Sequence, residues 1–329
     1  MKILRIGTRE SQLAVWQATL VQTLLKNAGV SSELVFIKSE GDIDTVTPLY
    51  ELGVQGVFTK TLDAALLNDR VDIAVHSMKD VPTQLAKGIR QASVLKRASY
   101  KDIFVYKDPA DLERLGYANG KWSMMNSASP TNSALTSDDL PFTIGTSSIR
   151  RIAQWLNRYP GHRIENLRGN VNTRLRKVAE SNWNGAVFAA AGVERIELRP
   201  QNSVDLDWML PAPAQGAIMV VCREDDSFSF EACQPFNDEA TALCAKIERD
   251  FLRTLMGGCS TPISALATTS NGSVTFKGNI ISPDGKQKVE IEKACATSDA
   301  GTLGILAANE LLSEPSGAKI VQDIRNAKK

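Results

Sequence analysis

The stretch from Phe58 to Pro82, FTKTLDAALLNDRVDIAVHSMKDVP, decides the fold of the first part of the chain. Its first half, up to Asn68, has the apolar spacing of an amphipathic helix. The apolar run from Val71 to Val75 follows almost at once and predicts a buried strand, which Pro82 prevents from continuing. Because helices alternate with short strands in the same way on both sides of this stretch, we expect a largely parallel sheet covered by helices.

The same patterning predicts a second, similar unit. Strands are predicted at 4–7, 33–38, 101–106, 142–145, 163–167 and 185–190, and helices at 11–26, 58–68, 149–158 and 170–181. The segment Ile6-Gly7-Thr8-Arg9 is echoed by Ile144-Gly145-Thr146-Ser147, and each precedes a helix that carries Trp and Gln. This echo favours two similar domains that face each other.

A change of pattern after Asp238 predicts a third, smaller α+β domain. The sequence there indicates a helix, then strands, then a helix, with hairpin-turn signals at Asn271-Gly272 and Pro283-Asp284-Gly285. The strand predicted at 217–222 follows a Pro-Ala-Pro break and returns to the first domain. We therefore assign residues 1–98 and 215–237 to domain one, 99–214 to domain two with an exposed insertion at about 108–141, and 238–329 to domain three.

Composition and charge exclude several classes of protein. The 329 residues are too many for one ordinary core and indicate two or three domains. The formal net charge of +1 gives no long-range attraction to nucleic acid or anionic membrane, so we expect neither partner. No run approaches the ~20 apolar residues of a membrane helix, and the N-terminus lacks the apolar core of a secretory signal, so we expect a cytoplasmic protein. The five cysteines are scattered without a C-x-x-C pair, so no metal site is predicted.

The predicted strand ends carry the residues that suggest chemistry. In open α/β sheets, ligands bind beyond the carboxyl ends of the strands. Helix N-termini offer unpaired N–H groups there, and arginine adds a fork that matches a carboxylate. The polar residues at these ends are Thr8-Arg9, His76 to Asp80, Thr146-Ser147-Ser148, Arg150-Arg151, Arg168-Gly169-Asn170, Arg174 and Arg195. Together they predict a site for several carboxylates or phosphates, although any single arginine among them is as readily a helix-surface residue.

Three residues have both a chemical and a structural interpretation. Asp80 is an acid or base beside developing positive charge, or a turn residue before a proline. Cys259 lies in the turn Gly257-Gly258-Cys259, where small neighbours leave its sulfur accessible, but a buried structural thiol is the ordinary alternative. His76 would be the base if Cys259 were the nucleophile of an acyl transfer, and is otherwise a structural histidine at a strand end.

Four long motifs resemble the signatures of one enzyme family, hydroxymethylbilane synthase, also called porphobilinogen deaminase. In chain order they are Asp72 to Pro82 (DIAVHSMKDVP), Gly145 to Arg151 (GTSSIRR), Leu167 to Arg174 (LRGNVNTR) and Gly257 to Pro262 (GGCSTP). The similarity runs from Ile6 through the C-terminal domain and is interrupted mainly by the predicted insertion. It implies an α/β fold with two similar domains of the type II periplasmic-binding-protein kind flanking a cleft, plus a small C-terminal α+β domain.

The resemblance also implies an activity and a cofactor. Members of the family join four porphobilinogen molecules head to tail into the linear tetrapyrrole of haem biosynthesis and release ammonia at each step. By this resemblance, Cys259 carries a dipyrromethane cofactor through a thioether, and this pair of pyrroles primes the chain without being turned over. Asp80 matches the family's catalytic aspartate, which helps the amine leave and stabilises the cationic azafulvene. Porphobilinogen is then the substrate, and uroporphyrinogen-III synthase is the functional neighbour that uses the product.

Most of the polar residues at the strand ends match positions that the family uses to hold carboxylates. Each pyrrole bears an acetate and a propionate, so the growing chain accumulates negative charge. By resemblance, the cofactor contacts Ser77, Lys79, Thr146, Ser147, Ser148, Arg150, Arg151, Arg168, Gly169 and Arg174, and the substrate contacts Arg9, Ser11, Gln17, Phe58 and Arg195. Lysine in place of these arginines would keep the charge but lose the two-pronged hydrogen bond.

The sequence departs from the family pattern at three positions and leaves one alternative function. Gln55 stands where lysine is usual, Thr61 where an acidic residue is usual, and Ala214 where glycine is common. These departures bear on a loop over the cleft and leave the reaction assignment intact. The alternative is a non-enzymatic protein that binds small anions, because two-domain solute-binding proteins resemble the family's first two domains.

Overall fold

The fold consists of two similar sheet-containing parts and a smaller third part. The structure is a computed structural model that describes residues 2–38, 59–123, 141–255 and 261–326. Over these ranges the strands form two five-stranded sheets, one three-stranded sheet and a two-stranded ribbon. The predicted α/β class is confirmed. Within the same ranges, every helix is too short or too polar to cross a membrane.

The first part alternates strands and helices. Its elements are β1 (Leu4–Thr8), α1 (Gln12–Asn27), β2 (Ser32–Phe36), α2 (Lys60–Leu67), β3 (Ile73–Ser77) and β4 (Ile89–Val94). Helix α1 begins after Ser11, whose hydroxyl accepts a hydrogen bond from the Ala14 N–H at 3.4 Å and so caps the helix. Helix α2 and strand β3 are the two elements that the stretch from Phe58 to Pro82 predicts. Phe58 itself lies outside the described residues.

The second part repeats this alternation. Its elements are β5 (Asp102–Tyr106), α3 (Pro109–Arg114), β6 (Tyr117–Ala118), β7 (Lys121–Trp122), β8 (Thr143–Gly145), α4 (Ile149–Arg158), β9 (Arg163–Glu165), α5 (Val171–Glu180), β10 (Gly185–Ala189), α6 (Ala190–Glu194) and β11 (Ser203–Asp205). The expectation of an exposed insertion at about 108–141 differs from the structure in its first part. There Leu112 and Leu115 are buried, and the Trp122 indole donates to the Asp205 carbonyl at 2.6 Å. A contact between residues so far apart in sequence leaves no local signal, and residues 124–140 lie outside the described ranges.

The last part completes the first sheet and then forms the smaller unit. Its elements are β12 (Ile218–Arg223), α7 (Ser227–Cys233), α8 (Glu239–Leu255), β13 (Ile263–Ser270), β14 (Ser273–Ile281), β15 (Lys288–Ala296), α9 (Leu303–Ser313) and α10 (Pro315–Asn326). The turn predicted at Asn271-Gly272 joins β13 to β14, with φ angles of 49° and 75°. Phe251 of α8 packs edge to face on Phe276 of β14, with ring centroids 5.1 Å apart in the core of this unit. The domain boundaries assigned above stay predictions.

The two five-stranded sheets share one plan. The first has the strand order β2-β1-β3-β12-β4, and the second has the order β11-β5-β10-β8-β9. In each sheet one strand opposes its neighbours: β12 pairs antiparallel with β3 and β4, and β5 pairs antiparallel with β10 and β11. The first residues of these opposing strands therefore lie at the carboxyl ends of the parallel strands. Ile218 is opposite Ser77, and Asp102 is opposite Ala189.

Apolar side chains cover both faces of the first sheet and hold the strand ends in place. On one face, Leu4 and Ile6 of the sheet pack with Val21 of α1. On the other face, Ala74 packs with Leu66 of α2. Burial of each such large side chain contributes roughly 1.5–3 kcal/mol to stability. This rigid support fixes the polar residues that follow β1 and β3.

Candidate active site

Asp80 lies in a short 3-10 turn, Met78–Asp80, that directly follows β3. Met78 and Val81 are buried on either side of it and anchor the turn, whereas the Asp80 side chain is half-buried. The carboxylate therefore stands at the carboxyl edge of the first sheet on a fixed backbone. A pocket beside it is lined by Arg9, Ser11, Leu13, Ala14, Gln17, Thr59, Val75, His76, Ser77 and Asp80. The structure thus brings four predicted substrate or cofactor residues of domain one together with Asp80.

Gln17 fixes the hydroxyl of Ser77 at the mouth of this pocket. Its amide nitrogen lies 2.9 Å from the Ser77 Oγ, and the side chain is only 2% exposed. His76, next to Ser77, is buried, and burial together with the charge of Arg9 lowers its pKa to about 4. His76 is therefore neutral near pH 7 and a weak base, which argues against the acyl-transfer interpretation.

Lys79 connects the Asp80 turn to the second sheet. Its ammonium donates to the Gln215 Oε1 at 3.2 Å, and the Gln215 amide nitrogen donates to the Asp102 carboxylate at 3.0 Å. Burial lowers the pKa of Lys79 to about 8; Asp80 opposes that shift, and the charge of Arg151 adds to it. Lys79 therefore lies, partly desolvated, between the carboxylates of Asp80 and Asp102 and the guanidinium groups of Arg150 and Arg151. Gln215 was not predicted, and its position is explained by the antiparallel entry of β12 at the carboxyl edge of the sheet.

Asp102 is the second functional residue that sequence reasoning missed. It is fully buried, and its carboxylate oxygens lie 2.7 Å from an Arg150 guanidinium nitrogen and 2.8 Å from one of Arg151. Burial raises the pKa of Asp102, but the charges of Arg150, Arg151 and Lys79 outweigh burial and lower it to about 2. An acid at the start of an otherwise apolar strand, Asp-Ile-Phe-Val-Tyr, was the available signal, because a buried carboxylate requires a partner.

Arg150 and Arg151, predicted to contact the cofactor, are engaged with the protein in this structure. Besides Asp102, the Arg150 guanidinium donates to the Leu210 carbonyl at 2.8 Å, and that of Arg151 donates to the Val187 carbonyl at 3.0 Å. Both side chains are buried at the start of α4. Their guanidinium groups therefore add positive charge to the site from its buried side.

Thr146, Ser147 and Ser148 form the loop between β8 and α4. The Ser147 hydroxyl donates to the Asn166 side chain at 2.5 Å, and the Thr146 hydroxyl accepts a hydrogen bond from the Ser148 N–H at 3.3 Å. Thr146 is buried, while both serines are half-buried. The loop therefore presents hydroxyls and the N-terminus of α4 at the carboxyl edge of the second sheet, where an anion is favoured.

Arg168, Gly169 and Arg174 surround the start of α5. Arg168 is buried, and the Arg174 guanidinium donates to the Gly169 carbonyl at 2.7 Å. Gly169 has a φ of 114°, and a Cβ there would meet Thr173 at 2.7 Å, so only glycine fits. Burial and the charges of Arg151 and Arg168 lower the pKa of Arg174 to about 10, and Asp80 opposes them. Residues of both sheets therefore share one electrostatic site.

Arg195 and the residues around it bridge the two sheet-containing parts. The Arg195 guanidinium donates to the Gly216 carbonyl at 2.7 Å and lies 5.7 Å from the centroid of the Trp16 ring in α1. Nearby, the Asn172 amide donates to the Gln12 side chain at 3.0 Å. Burial lowers the pKa of Arg195 to about 10. The carboxyl edges of the two sheets therefore meet, with Asp80 and the arginine cluster between them.

Two predicted site residues, Cys259 and Phe58, lie outside the described residues, as does Gln55. Thr61 lies on α2, and Ala214 is fully buried with a φ of 61°. Within the described ranges, no group of three or more His, Cys, Asp and Glu residues is arranged to hold a metal ion. The arrangement that is described is a cation-rich site with one half-buried acid at its edge.

Comparisons with known proteins give the family. The family model described as "Porphobilinogen deaminase, dipyromethane cofactor binding domain" matches residues 4–231, and "Porphobilinogen deaminase, C-terminal domain" matches residues 242–313. The porphobilinogen deaminase of Acidithiobacillus ferrooxidans is 37% identical over 330 residues, covering 98% of this chain and 99% of the relative. That of Trichlorobacter lovleyi is 38% identical over 327 residues, covering 98% and 97%.

Among solved structures, the Bordetella pertussis BvgS VFT2 domain matches 73% of this chain and 90% of its own, with 14% identity and a TM-score of 0.37. That likeness is too distant to carry an argument. The two family models cover most of the chain, and the curated relatives match it almost from end to end. The chain therefore belongs to the porphobilinogen deaminase family.

Proposed function

We propose that this protein is a hydroxymethylbilane synthase, a transferase that joins four porphobilinogen molecules head to tail and releases ammonia at each step. The observation that carries the proposal is the position of Asp80, a half-buried carboxylate on a rigid turn at the edge of a buried arginine cluster. Such a site binds polyanionic pyrroles while keeping one negative charge where positive charge develops. The pathway is then tetrapyrrole biosynthesis, which leads to haem.

The site fits a dipyrromethane because its positive charges repel one another. Burial is the main cause that lowers the pKa of Arg174 and of Lys79; the charges of Arg151 and Arg168 add to it at Arg174, and the charge of Arg151 adds to it at Lys79. Carboxylates placed among these groups would relieve this repulsion, and a dipyrromethane bears two acetates and two propionates. The residues proposed to hold them are Ser77, Lys79, Thr146, Ser147, Ser148, Arg150, Arg151, Arg168, Gly169 and Arg174. When attached through Cys259, the cofactor supplies a nucleophilic pyrrole carbon to which the first substrate ring is joined.

We propose that the basic residues of this site have two different roles. Arg174 and Lys79 are half-buried and Arg168 lies beside Arg174 at the start of α5, so we assign these three to direct contacts with acetate and propionate groups. Arg150 and Arg151 are already paired with Asp102, so they act mainly by supplying a field and by fixing the start of α4. The hydroxyls of Ser77 and the 146–148 loop complete the hydrogen bonds to the carboxylates.

Asp80 has the proton-transfer role in this proposal. As the carboxylic acid, it protonates the departing amine of porphobilinogen, and as the carboxylate it stabilises the positive charge left on the substrate pyrrole. It then accepts the proton that the ring loses when the new carbon–carbon bond is complete. Gln17 and Ser77 hold the wall of the pocket beside it.

The substrate is proposed to bind on the domain-one side of Asp80. Arg9, Ser11 and Gln17 line the same pocket as Asp80, and Arg195, directly after α6, lies against Trp16 of α1. Arg9 and Arg195 would each take one carboxylate of the incoming porphobilinogen. Phe58 belongs to the same proposed set by resemblance alone. The cytoplasmic location, and delivery of the product to uroporphyrinogen-III synthase, also remain predictions.

The experiment that tests this function replaces Asp80 by asparagine. We expect Asp80→Asn to carry the cofactor, seen by intact mass, and to consume porphobilinogen at least ~100-fold more slowly, because general acid–base catalysis contributes 10²–10⁴-fold. Asp284→Asn, in an exposed turn of the third domain, is the control and should keep normal turnover. Near-normal turnover of Asp80→Asn would remove this residue from the mechanism. A wild-type protein that bound small anions tightly but consumed no porphobilinogen would instead support the solute-binding alternative.

A further inference from the structure

Arg249 of the third part holds the backbone of the turn that carries Asp80. It lies on α8, and its guanidinium donates to the carbonyls of Met78 at 3.3 Å, Val81 at 2.9 Å and Pro82 at 2.5 Å. The side chain is only 9% exposed. One side chain therefore binds the backbone on both sides of Asp80, two residues before it and directly after it.

These carbonyls belong to a segment with little regular hydrogen bonding of its own. The turn is closed by one backbone bond, from the Val81 N–H to the Met78 carbonyl at 3.2 Å, and Pro82 has no N–H to donate. A buried carbonyl without a donor is costly, so the guanidinium takes the place of a neighbouring strand. Its planar fork can bind several carbonyls at once, which a lysine ammonium does with less geometric definition.

The same part of α8 is fixed on its other side. Glu248, the preceding residue, is fully buried and accepts from the Arg97 guanidinium at 2.6 and 3.0 Å. It also accepts from the backbone N–H groups of Ala214, at 2.6 Å, and Ala267, at 2.7 Å. The helix is thus tied to the chain at Arg97 and Ala214 and to strand β13 at the point where it holds the Asp80 turn.

Helix α8 also leads toward the residue proposed to carry the cofactor. It ends at Leu255, six residues after Arg249, and Cys259 follows four residues later in the sequence. One helix therefore holds the turn that carries the acid and directly precedes, in the sequence, the segment that contains the proposed attachment residue. A shift of the Asp80 turn relative to α8 would change the position of the acid against the tethered pyrroles.

We propose that Arg249 is a positioning residue for Asp80, setting the place of the acid relative to the chain attached at Cys259. The inference rests on the proposed function, since it concerns the same site. In this role Arg249 acts through the backbone of residues 78–82, whose carbonyls it binds, and not by direct contact with substrate or cofactor. Its loss would therefore lower kcat. Lys79 would move with the same turn, but the other proposed carboxylate-binding residues lie outside it, so KM and cofactor loading should stay close to normal.

The test compares Arg249→Met with a matched variant, Arg223→Met. Arg223 also uses a guanidinium to satisfy buried carbonyls, those of Leu66 at 3.0 Å and Val71 at 2.8 Å, but at the opposite edge of the first sheet from Asp80. Both variants lose hydrogen bonds to backbone carbonyls, and Arg223→Met also loses ion pairs with Asp69, Asp72 and Asp226, so it is the more severe structural control. We expect Arg249→Met to show a full dipyrromethane by intact mass, a kcat lowered ~10–100-fold, as misplacement by about 1 Å produces, and a KM within ~3-fold of wild type. Arg223→Met should keep a normal kcat.

Arg249→Lys supplies the second variant, in case Arg249→Met folds poorly. We expect it to carry cofactor and to recover part of the lost kcat, because an ammonium can still donate to one or two of the carbonyls. A kcat for folded, cofactor-loaded Arg249→Met and Arg249→Lys that equals that of Arg223→Met would overturn the inference. Loss of kcat only in proportion to the unfolded fraction would overturn it as well. Failure of the proposed function is distinguishable, because the wild-type protein would then consume no porphobilinogen.

Discussion

A carboxylate oxygen of Asp102 lies 2.7 Å from the Arg150 guanidinium, and Asp102 is fully buried. This pair, shared with Arg151, keeps two positive charges inside the protein at the back of a site that is itself rich in positive charge. A buried charge that loses its partner is strongly destabilising. Asp102 therefore partly neutralises the buried arginines before any anionic ligand binds. The carboxylates of a bound ligand would then supply part of this neutralising charge.

The first prediction follows from this division of charge. Asp102→Asn should lower the free energy of unfolding by roughly 3–5 kcal/mol in the cofactor-free protein, made with Cys259→Ser, because two buried arginines lose their counter-charge. The loss should be smaller when the cofactor is bound, since its carboxylates compensate. Urea denaturation of both forms measures the difference. Asp205→Asn, a partly exposed acid paired with Lys101, is the control that should cost the same in both forms. Equal losses for Asp102→Asn in the two forms would contradict the prediction.

The second prediction concerns the stability of the protein in weak acid. His162 stacks on Tyr159 with ring centroids 5.0 Å apart, and its Nδ1 accepts a hydrogen bond from the Trp155 indole at 3.1 Å. Burial and the charge of Arg114 lower the pKa of His162 to about 4. The unfolded chain, with a histidine pKa near 6.5, therefore binds more protons than the folded protein between about pH 6.5 and pH 4. Stability should be lost as the pH falls through this window.

His162→Phe isolates this effect, because it keeps an aromatic ring in the stack and removes the titrating group. Its free energy of unfolding should depend less on pH between 6.5 and 4 than that of the wild-type protein. The comparison with the mutant is needed because two other groups also make stability depend on pH. His76, whose pKa is also lowered to about 4, reduces stability as the pH falls. Asp63, whose pKa burial raises to about 6, increases stability as the pH falls. Denaturation curves at several pH values measure the slopes. Identical slopes in the two proteins would show that His162 is not the source.

The third prediction concerns Ala214, one of the departures from the family pattern. Its φ of 61° lies in the left-handed region, where a Cβ costs roughly 1–2 kcal/mol and glycine costs nothing. Ala214→Gly relieves that strain, while Ala217→Gly, at an equally buried position without positive φ, only loses a methyl group. We expect the free energy of unfolding of Ala214→Gly to exceed that of Ala217→Gly by about 1–2 kcal/mol. Thermal or urea unfolding measures this difference, and equal values would mean that the backbone at 214 is unstrained.

The features that could be predicted from sequence were those determined by residues close together in the chain. The run Val71 to Val75 before Asp80 gave β3 and placed the acid at a strand end, because a short apolar run between a helix and a proline has few other structures. Arg168-Gly169 was likewise predicted to lie between a strand and a helix, and the structure has it between β9 and α5.

The features that could not be predicted depend on contacts between distant segments. Asp102 and Arg151 are 49 residues apart, and Arg249 and Val81 are 168 apart. Neither pair has a spacing that local rules describe. The pairings exist because β5 and β12 enter their sheets antiparallel and because α8 packs beneath the first sheet, which are properties of the assembled topology. The sequence therefore indicated which charges were present, but not which of them were already neutralised.

The most direct test of the central claim is the intact mass of the freshly purified protein, made in cells supplied with porphobilinogen. We predict that the wild-type mass exceeds the sequence mass by one dipyrromethane, and that the half-buried Cys295→Ser control keeps this adduct while Cys259→Ser loses it. A wild-type protein at the bare sequence mass, or an adduct that persists in Cys259→Ser, would contradict the account.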